Sequence, residues 1–168
     1  ETPLEAKTIT TRRLHNQHIG REEFDRPDQV VRQMGAVQSQ DYAAAQWAIA
    51  QRARGLDHQT LDQAFDAGQI LRTHVLRPTW HFVTPQDIGW MLELTAPRVH
   101  QATATYYRKY GLDDATFVRS RKALEQALQG GKFLERFELV SALQQAGIET
   151  GDSLRANLLI MHAELEGV

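Results

Sequence analysis

Apolar residues recur along most of this chain at helical spacing, and once, near its middle, at alternate positions. Val30, Val31, Met34 and Val37 stand at i, i+1, i+4 and i+7, the stripe of a helix with one face in a core. Pro27 suits the first turn of that helix. Tyr42, Ala45, Ile49 and Ala53 form a second stripe, on a run from Asp41 to Arg52 that holds no Gly or Pro. Ala43, Ala44, Ala45 and Ala48 allow close helix approach there, and Trp47 is expected in the core rather than as a stacking platform for a base. Upstream, Thr10 to His18 reads as a helix ended by Gly20. Downstream, a short helix begun by His58 or Thr60 turns Leu61, Ala64 and Phe65 inward and closes at Gly68.

The period then changes. Leu71, Thr73 and Val75 alternate with Arg72 and His74; beyond a turn at Leu76-Arg77-Pro78, Trp80 and Phe82 alternate with Thr79, His81 and Val83. This predicts strand–turn–strand. Pro85 to Leu94 reads as helix, followed by a helical connector over 98–112 with basic (Arg98, His100, Arg108, Lys109) and aromatic (Tyr106, Tyr107, Tyr110) sides. Three further helices follow. They carry Phe117, Leu124 and Leu128, then Phe137, Val140 and Leu143, then Leu154, Leu158, Met161 and Leu165, with breaks at Gly130-Gly131 and Gly147. Helices followed by a two-stranded hairpin are the layout of a winged helix. The expected fold is mainly α, a tandem winged helix. Its first unit covers 1–97 with the wing near 70–84, and 113–168 forms the tri-helical part of a second unit, truncated before its wing.

Composition narrows the partners. The chain has 168 residues, 42% hydrophobic, and a net charge of -2. Acids and bases are almost balanced in each half, so an anion-binding surface must come from local arginines. Arg12 and Arg13 make a basic face on the first helix. Arg72 and Arg77 are expected to point out of the hairpin, towards phosphates or into a groove. His81, beside Trp80, joins them as a candidate DNA contact, although a histidine in this setting is more often a satisfied structural one than a catalytic one. His15 and His18 are i, i+3 neighbours without an evident third ligand, so no metal and no organic cofactor is indicated. Absence of cysteine excludes disulfides and thiolate metal sites. No apolar run approaches the roughly 20 residues of a membrane span and no signal peptide is visible, so a cytoplasmic monomer is expected.

Between the two stripes lies Gln38-Ser39-Gln40-Asp41. Either Ser39 or Asp41 can cap the helix that follows, which would set the two amides near a helix N-terminus, where an anion is favoured. A polar inter-helix turn explains the same residues.

In this context the chain resembles the AlkZ-like family of DNA glycosylases. The resemblance rests on Arg12-Arg13-Leu14, on Val37-Gln38-Ser39-Gln40-Asp41, on the hairpin Leu71 to His81, and on the helical segment reaching Glu166-Gly167-Val168. Pro78 departs from the Gly that many members carry in the hairpin turn. The resemblance implies winged-helix units around a basic cleft, double-stranded damaged DNA as partner, and excision of alkylated purines, including unhooking of interstrand crosslinks. It implies Gln38 and Gln40 as the catalytic pair. Amides suit such a reaction: an N7-alkylated purine already carries positive charge and leaves without protonation. Positioned water and a carbonyl dipole beside the sugar cation would then suffice. The alternatives are a non-catalytic winged-helix DNA binder, such as a transcriptional regulator, and a protein–protein module.

Overall fold

A computed structural model of the chain describes residues 6–21 and 23–168. Its contacts divide into two compact units. One runs up to Thr73 and includes Thr79–Gly89; the other holds His74–Pro78 and Trp90–Val168.

The first unit contains α1 (Ala6–Asn16), α2 (Pro27–Met34), β1 (Val37–Gln38), α3 (Tyr42–Ala50) and α4 (His58–Asp66). The wing strands are β2 (Leu71–His74) and β3 (Trp80–Val83), and the sheet order is β1-β3-β2. Pro27 opens α2, and Gly35 ends it with φ at +76°, a conformation that favours glycine. The helical stripe therefore stops at Met34. Val37 leaves it to pair with β3, which was not expected: Val37 lies opposite Phe82 and Gln38 opposite His81, antiparallel. Val30, Val31, Ala45, Ile49, Leu61, Ile70 and Phe82 make the core. Tyr42, Phe65 and Phe82 close it with edge-to-face contacts at 5.6–6.2 Å between ring centres. Full burial of each large apolar side chain here contributes about 1.5–3 kcal/mol. Trp47 is not among them. It is 69% exposed, because α3 buries the face of Ala45, Gln46 and Ile49.

The second unit is helical: α5 (Ile88–Lys109, whose first two residues belong to the first unit), α6 (Asp114–Leu128), α7 (Arg136–Gln145) and α8 (Ser153–Leu165). The helix expected to end at Leu94 and the connector expected from 98 are one element, α5, which runs through Pro97. The ring of Pro97 faces solvent, and an interior proline costs a helix about 3 kcal/mol. The continuous burial of Met91, Ala96, Val99, Thr103 and Tyr107 on the other side outweighs that. The contact division falls between Gly89 and Trp90, inside α5. Asp113 and Asp152 cap α6 and α8, and Glu135 with Glu138 forms a capping box on α7. Val99, Leu124, Leu143 and Leu159 centre this core, while Phe137, expected on the inner stripe of α7, is exposed. Among the described residues no helix is long and apolar enough to cross a membrane.

Candidate active site

The two glutamines lie where strand β1 ends and just ahead of the N-terminus of α3. Beyond the paired Gln38, the ladder runs one residue further: the Ser39 N–H donates to the Trp80 carbonyl at 2.8 Å. In extended chain successive side chains alternate. Ser39 accordingly points inward and is fully buried, while Gln38 and Gln40 are both exposed. Asp41 is the N-cap of α3, its Oδ1 accepting from the Ala44 N–H at 3.0 Å. That role accounts for its carboxylate.

Three further bonds hold this segment. The Trp80 backbone N–H donates to Gln40 Oε1 at 3.2 Å. This orients the amide of Gln40, with its carbonyl towards β3 and its two N–H donors on the opposite branch. Arg72 donates from Nε (3.2 Å) and Nη2 (2.8 Å) to the Ser39 carbonyl. Its guanidinium carbon lies 4.6 Å from the ring centre of Trp80 and 5.7 Å from that of Tyr42. A charge-assisted fork and a cation–π stack thus fix the peptide between the two glutamines.

Behind them runs a polar chain. Tyr42 Oη donates to Asp62 Oδ1 at 3.0 Å, and Gln46 Nε2 donates to the same oxygen at 2.7 Å. With its amide so turned, Gln46 presents Oε1 to His58 Nδ1 at 2.8 Å, and the histidine must be the donor. Partial burial, then the Asp62 carboxylate, push the Tyr42 phenol up to about 12.

The expected site residues fare differently. Gln38, Gln40, Arg72 and His81 are gathered at one end of the small sheet. Arg72 does not point out of the hairpin: its guanidinium is turned back onto Ser39 and the aromatic rings. His81 is 4% exposed, and its Nδ1 lies 2.9 Å from the Thr79 carbonyl, so the ring offers no surface to a phosphate. Arg12 and Arg13 are exposed on α1, and Arg77 is exposed in the loop between β2 and β3. Sequence reading missed the Tyr42–Asp62–Gln46–His58 chain. The i, i+4 spacing of Tyr42 and Gln46 was the available signal.

Helices α2 to α4 followed by a small antiparallel wing, with a Gln-x-Gln segment hydrogen-bonded to that wing, define a mainly α protein of the winged-helix class. Residues 31–168 match the family model described as DNA glycosylase AlkZ-like, and the chain belongs to that family. Among solved structures, the DNA glycosylase AlkZ of Streptomyces sahachiroi shares the fold with a TM-score of 0.77 at 17% identity. That likeness covers 99% of this chain and 46% of the other, so the chain spans a little under half the length of this relative. No curated protein sequence matches the chain.

Proposed function

We propose that this chain carries the catalytic amides of a DNA repair glycosylase that hydrolyses the N-glycosidic bond of alkylated purines and unhooks interstrand crosslinks. The carrying observation is the pair Gln38 and Gln40. Both are exposed from one extended segment, and the backbone between them is clamped by Arg72 and β3. A cationic N7-alkylated base needs no general acid to leave. What remains is to hold water at the anomeric carbon and to face the growing charge on the sugar with fixed dipoles. Gln40 serves the first need: its amide plane is set before substrate arrives, and its N–H groups, turned away from β3, can donate to that water. An undamaged purine, neutral and a poor leaving group, survives contact with so weak a base. In this reading the chain supplies a first winged-helix unit and the tri-helical part of a second, and damaged duplex DNA is the partner.

Single-turnover release of 7-methylguanine from alkylated duplex tests the proposal. Gln38→Ala and Gln40→Ala are each expected to slow excision by about 10²–10³-fold, the cost of losing one positioned dipole, with duplex binding retained. Wild-type rates in both variants would overturn the catalytic assignment. Duplex binding with no excision by the unmutated chain would leave a DNA-gripping module.

A further inference from the structure

We propose that His100, His162 and Glu166 form a binding site for a late first-row divalent metal ion of the zinc class. His162 and Glu166 are i, i+4 neighbours at the C-terminal end of α8, and so share one face. His100 approaches from α5. One ligand atom from each of the three lies within 4.8 Å of the others. His100 Nε2 and Glu166 Oε1 are already 3.1 Å apart, close to the edge of a tetrahedron built on bonds of about 2.0–2.2 Å.

The surroundings add what a metal site needs and hydrogen bonding alone does not explain. His162 Nδ1 is buried and meets no hydrogen-bond partner. Its ring is held by stacking on Phe117, 3.7 Å between centres and 11° from parallel, and lies 4.6 Å from the His100 ring. The far nitrogen of His100, Nδ1, is 3.1 Å from the Tyr107 hydroxyl, the kind of outer partner that fixes a ligating imidazole. Glu166 divides its oxygens: Oε1 faces His100, and Oε2 lies 3.6 Å from Arg121. A cavity of about 200 Å³, lined by Asp114, Phe117, Val118, Arg121, His162 and Glu166, adjoins the cluster. It leaves room for a water as fourth ligand. Two imidazoles and one carboxylate favour zinc, copper or cobalt over magnesium or calcium, which prefer oxygen donors.

Protons balance. Without metal, His100 Nε2–H donates to Glu166 and Nδ1 accepts from Tyr107. With metal on Nε2, the neutral ring takes its other tautomer, and Nδ1–H donates to the Tyr107 oxygen. No proton is lost from a neutral His100.

Calorimetric titration of the full chain with Zn²⁺, paired with Co²⁺ titration read by visible ligand-field absorption, tests this. One ion per chain is expected, with a four-coordinate Co²⁺ spectrum that Zn²⁺ bleaches. His100→Gln, His162→Ala and Glu166→Gln should each abolish that spectrum, Tyr107→Phe should weaken affinity about 10–100-fold, and His15→Ala should change nothing. Far-UV circular dichroism checks folding, and if His162→Ala does not fold, His100→Gln and Glu166→Gln carry the test. Failure of the chain to take up either ion would overturn the site. So would uptake that persists in the folded His100→Gln and Glu166→Gln variants, since surface histidines would then be responsible.

Discussion

At Ser39 the side chain and the main chain have opposite fortunes. The hydroxyl is fully buried and unpartnered, while the peptide on either side is bound to Trp80 and to Arg72. An unpaired buried hydroxyl is a cost, so Ser39→Ala should leave stability unchanged or raise it by up to about 1 kcal/mol in urea unfolding, without loss of excision. Arg72 is the opposite case. Arg72→Lys keeps the charge but loses the planar fork and the stack, and is expected to lower the single-turnover rate about tenfold with duplex affinity little changed. Equal loss of rate and affinity would instead make Arg72 a DNA contact. Tyr42 offers a third readout. Its phenol is held up to about 12 from an ordinary value of 10.0, so the folded protein keeps a proton that the unfolded chain releases. That contribution to stability is present below pH 10.0 and is lost as pH rises towards about 12. Tyr42→Phe should flatten this part of an alkaline unfolding profile.

At the scale of elements, long amphipathic segments were legible and short or unfavourable ones were not. The α2 and α3 stripes and the alternation over β2 and β3 each contain enough residues to declare a period. Strand β1 has two residues, Val37 and Gln38, and two residues have no period. Its existence depends on β3, distant in sequence. At Trp47 the pattern misled, because a large apolar residue does not reveal which side of a helix the rest of the fold covers. Pro97 misled in the other direction: local preference argued for a break, and packing along α5 prevailed. Pro97→Ala should therefore raise stability by up to about 3 kcal/mol, read as an upward shift in the thermal midpoint. The Asp113 cap of α6 predicts an acid effect. Hydrogen bonds from Thr116 hold its carboxyl below the usual 3.8. The stability it lends is present above that value and is lost as pH falls through the lowered one. Asp113→Asn, which keeps an acceptor at the cap, should blunt that loss in acid unfolding.

For the whole molecule, charge limits how the proposed DNA partner could be held. A net charge of -2 gives no general attraction to a polyanion, so grip must be local and salt-sensitive. Arg12 and Arg13, exposed on α1, are the testable pair. Removing either should reduce the slope of log affinity against log salt by about one on any duplex sequence. An unchanged slope would take α1 out of the interface. Of the candidate site, the sequence made the two amides legible through their setting between an apolar helix and the hairpin. It could not disclose the inward turn of Arg72 or the burial of His81, because alternation along a strand says nothing about which face another element covers. Nor could it join His100 to Glu166, which only the approach of α5 to α8 brings within 3.1 Å.

Two bonds that tie the Gln-x-Gln segment to β3 use the amide and carbonyl of residue 80. Mutational drift at that position can exchange the indole for almost anything and still deliver both groups. Only an imino acid cannot, since proline brings no hydrogen to offer. Trp80→Pro should accordingly set Gln40 loose where other replacements merely thin the stack over Arg72.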